Sequence, residues 1–227
     1  RAAGHSGGAE VGRRSYYGLP PAAGREFQAA SYLSYAPVRP APPLGWHLVL
    51  LPDDAPSEAT ARLSRLRFGL LHQKLALLPD RGQALPSLPP CHLRASGADD
   101  LGPALRSAWP LEDLAAQMNA FLSGFSALET HEPSADQAIG LRLLLVHVFR
   151  RIALADPLLP PDCLPADWPG ERARHLFARL YARLSPMAEA SVAHRFRDRH
   201  GLLRLDPGGR ETRLARMTGG GAFSISK

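Results

Sequence analysis

Lysine and cysteine are scarce in this 227-residue chain. Only Lys74 and Lys227 are lysines among its 27 basic residues, and the rest are arginines. Heavy use of arginine, alanine, proline and leucine is typical of a GC-rich coding sequence. The net charge of +6 and the pI of about 9.9 therefore point only modestly to a polyanionic partner. Cys91 and Cys163 lie far apart, which excludes a disulfide framework or a zinc site of familiar spacing and favours a reducing cytoplasm.

Long apolar runs are absent as well. The most apolar stretch, residues 139–149, is interrupted by Arg142 and His147 and is far shorter than the roughly 20 residues that a membrane span needs. The chain begins at Arg1, and no apolar signal core follows. We therefore expect no membrane helix, and we expect this chain to be part of a longer protein.

Motifs for catalysis and for cofactors are missing too. Serine, histidine and aspartate all occur, but the sequence contains no nucleophile elbow, no glycine-rich phosphate loop and no His-Glu metal spacing. The sequence accordingly predicts a protein that is not an enzyme, with no catalytic residues, no cofactor and no metal ligands.

The middle of the chain has the pattern of an α+β unit. Its first strand is an apolar run bounded by glycine and proline, and a helix with a serine near its start follows. The predicted elements are a strand at 46–51, a helix at 57–71, strands at 73–78 and 91–95, and a helix at 99–108. This order is that of a ferredoxin-like unit.

Three longer helices are predicted after residue 110, at 111–125, 134–155 and 171–200. Apolar residues spaced by three and four positions mark the side of each helix that should face the core. In the second helix these residues are Leu141, Leu144, Leu145, Val148 and Ile152. In the third they are Ala173, Leu176, Phe177, Leu180 and Leu184.

Three segments in this helical region carry a family resemblance. They are LLLVHVFRRIALADPLLP at 143–160, LPADWPG at 164–170 and LFARLY at 176–181. Together they closely resemble the C-terminal domain of PaaX-type transcriptional repressors of aromatic-acid catabolism. The strand from Trp46 and the LRFGL run at 66–70 resemble the family's middle domain, which is similar to the Cas2 nuclease.

The resemblance implies a domain organisation, a function and a set of partners. The implied organisation is a winged-helix remnant at 1–33, a Pro-rich linker at 34–45, a ferredoxin-like domain at 46–110, a helical C-terminal domain at 111–200 and a flexible tail at 201–227. The implied protein is a cytoplasmic homodimer that represses a phenylacetate-type operon. It binds operator DNA when full-length and is released by phenylacetyl-CoA or a similar aryl-CoA effector. The middle domain is expected to supply the dimer contact.

The segment GRRSYY at 12–17 resembles the last strand of the family's winged helix. The resemblance implies that Arg13, Arg14, Tyr16 and Tyr17 contact DNA, since arginine and tyrosine donate hydrogen bonds to phosphate. A solvated basic turn is the alternative interpretation.

His147, Arg150 and Arg151 are three and four residues apart, so they share one helix face. Such a cluster can bind the phosphates of the implied effector, because arginine binds phosphate through two parallel hydrogen bonds. Alternatively, one of the arginines pairs with Asp156 or Asp167 and fixes the Pro-rich loop between the two helices.

Four other residues could serve a ligand but have simpler interpretations. Asp53 and Asp54 directly follow the first strand, where Cas2-like nucleases place a metal-binding aspartate, and this makes a metal-dependent nuclease the alternative function. A turn or helix-capping role explains the two aspartates equally well. Trp46 and Trp168 are interpreted as packing anchors rather than ligand platforms.

Overall fold

The computed structural model describes nine stretches of the chain, and every structural statement below concerns those residues. The stretches are 8–11, 14–17, 30–72, 74–83, 85, 91–96, 102–198, 201–202 and 207–219. Helices and antiparallel strands are both present, which confirms the predicted α+β class. Within the described ranges, no helix is both long and apolar enough to cross a membrane.

The strands are β1 Gly8–Val11, β2 Arg14–Tyr17, β3 Gly45–Leu50, β4 Gly69–Leu71, β5 Leu75–Asp80, β6 His92–Ala95, β7 Arg197–Asp198 and β8 Gly201–Leu202. The helices are α1 Ser57–Arg65, α2 Gly102–Leu105, α3 Leu111–Phe125, α4 Ala135–Ala155, α5 Gly170–Arg195 and α6 Pro207–Met217. Residues 30–34 are also helical.

The chain divides into two compact units. The first, here the sheet unit, consists of Arg39–Ser123 and Leu154–Ala173. The second, here the helical unit, consists of Arg1–Val38, Gly124–Ala153 and Arg174–Lys227. The Pro-rich connection between α4 and α5 therefore belongs with the sheet and not with the greater part of the two helices that it joins.

The sheet unit contains four strands in the order β4-β5-β3-β6, and every neighbouring pair is antiparallel. Side chains alternate between the two faces of a strand, so β3 contributes to a core on both sides. One core includes Trp46, Leu77, Trp109 and Leu159. The other includes Val49, Leu63, Phe68 and Leu78. A sheet that is buried on both faces accounts for the nearly continuous apolar run of β3.

The predicted helix at 57–71 was too long, and the strand β4 was missed. The helix ends at Arg65, and Arg67 follows in the left-handed region with φ of 70°. The indole Nε1 of Trp109 donates to the carbonyl oxygen of Arg67 at 3.0 Å, and its ring lies so close to Gly69 that a Cβ there would be 2.4 Å from a ring carbon. This contact joins residues about 40 positions apart, so local apolar spacing gave no indication of the break.

The helical unit is built around α4 and α5. The rings of Phe149 and Phe177 stack with centroids 4.1 Å apart and an interplanar angle of 12°. All five residues predicted to face the core from α5 are buried, which confirms that prediction. On α4, Leu145 and Ile152 are buried as predicted, but Leu144 is 52% exposed, so its assignment to the core was wrong.

The predicted flexible tail at 201–227 was wrong for the residues that form α6. Arg213 donates from Nε to the Tyr181 hydroxyl at 2.7 Å, and Arg210 lies 2.8 Å from the Glu189 carboxylate. The carbonyl oxygen of Met217 accepts a hydrogen bond from the Val38 N–H at 3.1 Å. The sequence of α6 is strongly polar, and it is these polar contacts with residues distant in sequence that hold the helix in place. The remaining predicted tail residues, 203–206 and 220–227, lie outside the described residues.

The adjacent leucines of α4 provide a direct test of which face is buried. Leu145→Ala is expected to lower the free energy of unfolding by about 2 to 5 kcal/mol, because it removes a fully buried side chain and leaves a cavity. Leu144→Ala is the matched control and should change it by less than about 0.5 kcal/mol. Urea denaturation measures both values, and equal losses would contradict the burial pattern.

Candidate functional site

The exposed face of α4 brings together the three residues that the sequence singled out there. His147, Arg150 and Arg151 are all exposed, on the side of the helix opposite to the buried Leu145 and Phe149. No ion pair or hydrogen bond within the described part of the chain engages any of the three. Their donors are therefore available to an anion from outside.

The alternative interpretation was that one of these arginines fixes the Pro-rich loop. No such ion pair forms among the described residues. Neither Arg150 nor Arg151 pairs with Asp156 or Asp167. Instead, the buried Asp156 carboxylate accepts a hydrogen bond from the backbone N–H of Leu158, at 2.8 Å. Asp167 is exposed.

Two arginines of the sheet unit, which the sequence analysis did not single out, hold this loop. Arg67 donates from Nη1 to the carbonyl oxygen of Asp156 at 3.1 Å. Arg81 donates from Nε and Nη2 to the carbonyl oxygen of Leu158, at 3.1 and 2.5 Å, and from Nη1 to that of Ala41. These contacts span 89 and 77 positions, so no local motif could reveal them. The only feature of the local sequence that marked the position of Arg81 was the Pro79–Gly82 turn in which it lies.

A buried polar cluster lies on one face of the sheet, centred on Asp80. Its carboxylate accepts hydrogen bonds from Arg94 Nε at 2.9 Å and from the Gly82 N–H at 2.9 Å, and its Oδ1 lies 3.3 Å from His47 Nε2. His47 Nδ1 lies 3.0 Å from His92 Nε2. An unprotonated Nε2 would turn a lone pair toward the carboxylate, so we assign the His47 proton to Nε2 and the proton between the two rings to His92.

The cluster shifts the pKa of two of its members. Burial lowers the pKa of His47, and the neighbouring His92 and Arg94 side chains reinforce this against the opposing effect of Asp80. Burial by itself would raise the pKa of Asp80, but the hydrogen bonds from Gly82 and Arg94 outweigh it and hold that pKa below its usual value. The resting cluster therefore contains a neutral His47 and an ionised Asp80 near neutral pH.

Three of the four residues predicted to contact DNA, Arg14, Tyr16 and Tyr17, lie on a short hairpin. β1 and β2 pair antiparallel, with Val11 opposite Arg14 and Gly8 opposite Tyr17. The predicted strand is thereby confirmed, and Arg14, Tyr16 and Tyr17 lie in it. Arg13 lies outside the described residues.

The remaining candidates belong to the sheet unit. Asp53 is exposed, and its Oδ1 lies 2.5 Å from Lys74 Nζ. Within the described residues no group of three or more histidine, cysteine, aspartate or glutamate side chains is placed to hold a metal ion. Trp46 is 6% exposed, and its ring centroid lies 6.4 Å from that of Trp109. Trp168 is partly buried against the same core.

The buried Asp80 cluster leads to a prediction about pH. Because the pKa of His47 is lowered in the folded state, the unfolded chain binds more protons and stability rises with pH. The contribution of His47 to the free energy of unfolding is complete above the unfolded histidine pKa of about 6.5 and is lost as the pH falls below that value. Asp80 adds a similar loss at a more acidic pH, below about 4.

His47→Gln should therefore weaken the dependence of unfolding free energy on pH between about 7.5 and 5.5. The exposed His147→Gln is the control and should leave the dependence as it is in the unaltered protein. Urea denaturation at a series of pH values measures both, and parallel curves for His47→Gln and the unaltered protein would refute the role given to His47.

The fold and the site define an α+β protein with a four-stranded antiparallel sheet unit, a helical unit and a basic, exposed helix face. A family model described as the PaaX-like protein C-terminal domain matches residues 109–194, which include that face. The transcriptional repressor PaaX of Escherichia coli strain K12 is 30% identical over 210 residues, covering 82% of this chain and 66% of that protein. This chain thus spans just under two thirds of the length of that relative.

A solved structure shares the fold. The uncharacterized protein Rv0674 from Mycobacterium tuberculosis superimposes with a TM-score of 0.53, at 22% identity, over 77% of this chain and 74% of that one. The family match and the repressor relative place this chain in the PaaX family, as its motifs at 143–160, 164–170 and 176–181 predicted.

Proposed function

We propose that this protein is a transcriptional repressor of an aromatic-acid operon, of the phenylacetate type, that is released from DNA by an aryl-CoA effector. The observation that carries the proposal is the 30% identity to the Escherichia coli repressor across most of this chain. The protein is proposed to act in the cytoplasm as a homodimer. A twofold axis lets two identical DNA-binding domains bind the two halves of a pseudo-palindromic operator.

The finer domain assignments rest on topology. If these four strands are numbered 1 to 4 in chain order, the sheet order β4-β5-β3-β6 becomes 2-3-1-4. This is the ferredoxin-like strand order counted from the opposite edge of the sheet, and it supports a ferredoxin-like middle domain. One departure is that α2 follows the fourth strand instead of preceding it. The β1–β2 hairpin supports the wing of a winged helix, since a wing is a two-stranded antiparallel hairpin.

The proposed DNA contacts can be tested in the full-length protein. Arg14→Ala should weaken binding to DNA from the regulated promoter and lower the slope of log affinity against log salt by about 1, since one phosphate contact is lost. The exposed Arg172→Ala on α5 is the control and should leave the slope as it was. Electrophoretic mobility shifts at several salt concentrations measure this, and an unchanged slope for Arg14→Ala would remove the hairpin from the interface.

The exposed face of α4 is the proposed effector site. Coenzyme A carries several phosphates. Arg150 and Arg151 present exposed guanidinium groups that pair with no residue the structure describes, and His147 lies beside them. The leucines next to them on the same face, Leu143 and Leu144, are 62% and 52% exposed and offer apolar contact to the aryl-acyl part. Effector binding would then lower DNA affinity by favouring a dimer geometry in which the two DNA-binding domains no longer fit the operator.

Calorimetric titration with phenylacetyl-CoA tests this site. Arg150→Ala combined with Arg151→Ala should raise the Kd at least about 10-fold, a loss of about 1.4 kcal/mol, because two charged donors to phosphate are removed. Arg172→Ala again serves as the control. Identical affinity in the double variant and the unaltered protein would exclude the cluster as the effector site.

A further inference from the structure

The helix α6 packs on the helical unit mainly through its arginines. The family model ends at residue 194, so α6 lies outside the matched domain. The residues at 210, 213 and 216 are all arginine, and a spacing of three places them on one side of the helix. Among the described side chains of α6, only Met217 is buried. The position of this helix therefore depends chiefly on what its arginines contact.

Two of these arginines lie over tyrosine rings. The guanidinium carbon of Arg213, whose Nε donates to the Tyr181 hydroxyl, is 5.5 Å from the ring centroid of Tyr35 and 5.9 Å from that of Tyr181. The guanidinium carbon of Arg216 is 5.3 Å from the ring centroid of Tyr32. A guanidinium within about 6 Å of a ring centroid is attracted to the aromatic face. Arg213 thus joins Tyr35 to α5.

Tyr32 and Tyr35 belong to residues 30–38, here called the connector. At its end, the Val38 N–H donates to the carbonyl oxygen of Met217 at 3.1 Å, so α6 contacts the connector at three positions spaced by three residues. Val38 is also the last residue of the helical unit before the sheet unit begins. Along the chain, the connector joins the β1–β2 hairpin to the sheet unit.

The helix α6 has little stability of its own. It is 11 residues long, and Gly208 and Gly209 lie in its first turn. Isolated helices of this length are marginal in water, and glycine is among the poorest helix formers. Contacts between arginine and a tyrosine ring are individually weak, and so are partly exposed ion pairs such as that of Arg210 with Glu189. We therefore expect the helix and its contacts with the connector to form and to be lost together.

We propose that α6 holds the connector in one position, and that Arg213 is thereby a positioning residue for operator binding. Arg213 touches no DNA and acts through Tyr35. The connector lies along the chain between the β1–β2 hairpin and the sheet unit, so holding it limits the directions in which the two DNA-binding domains of the proposed homodimer can point. Two linked domains that are held to fit two half-sites bind far more strongly than either domain alone. A released connector leaves the contacts of each domain intact but removes that advantage.

Hydrogen exchange of the full-length protein without DNA tests the contact itself. Arg213→Ala should accelerate backbone exchange within residues 31–38 at least about 10-fold, because the segment is no longer held by α6. Thr212→Ala is the matched control, since Thr212 is the exposed neighbour of Arg213 on the same helix. It should leave exchange in these residues as it was, and neither variant should alter exchange in β3 or β5. Equal exchange in Arg213→Ala and the unaltered protein would overturn the inference.

Binding to promoter DNA tests the positioning role, which rests on the proposed function. Arg213→Ala should weaken binding to a duplex with the whole operator at least about 5-fold, and to a duplex with one half-site less than about 2-fold. The slope of log affinity against log salt should not change, because no phosphate contact is lost. A variant that is merely less stable would lose the same factor on both duplexes, and that result would overturn the positioning role.

Arg216→Ala removes the contact with Tyr32 and leaves that of Arg213, so it should change both measurements in the same direction by a smaller factor. It decides the question if far-UV circular dichroism shows that Arg213→Ala does not fold. An unaltered protein that binds no promoter DNA would refute the proposed function and the positioning role together. If the unaltered protein binds the whole operator and both variants bind it equally well, the proposed function stands and this inference fails.

Discussion

Two guanidinium groups of the sheet unit hold the backbone of a loop that returns to the sheet from far along the chain. Arg67 binds the carbonyl oxygen of Asp156, and Arg81 binds that of Leu158, a residue whose φ of 56° turns the chain sharply. Backbone carbonyls near a core need partners, and arginine can satisfy several from one side chain. Once the loop is held, Leu159 and Cys163 can complete the core around Trp46 and Trp109.

This arrangement has a consequence for α4. The loop after α4 is rich in proline and contains three aspartates, and the nearest arginines in sequence, Arg150 and Arg151, were the predicted candidates to fix it. Arg67 and Arg81 bind its carbonyl oxygens instead, and Arg150 and Arg151 have no partner among the described residues. Exposed arginines beside exposed leucines make this helix face suitable for binding, and the effector proposal depends on that property.

The sequence by itself determined the α+β class, the three long helices, the buried stripe of α5 and the family, because helical periodicity and the motifs at 143–181 are local signals. It also placed His147, Arg150 and Arg151 on one helix face. Only the tertiary structure decided that the chain forms strand β4 after Arg65, that Leu144 is exposed and that α6 packs instead of remaining a tail. Each depends on contacts between residues distant in sequence: Trp109 with Gly69, α5 with only one side of α4, and Arg213 with Tyr181. Long-range contacts of this kind override local propensity, and a single sequence does not display them.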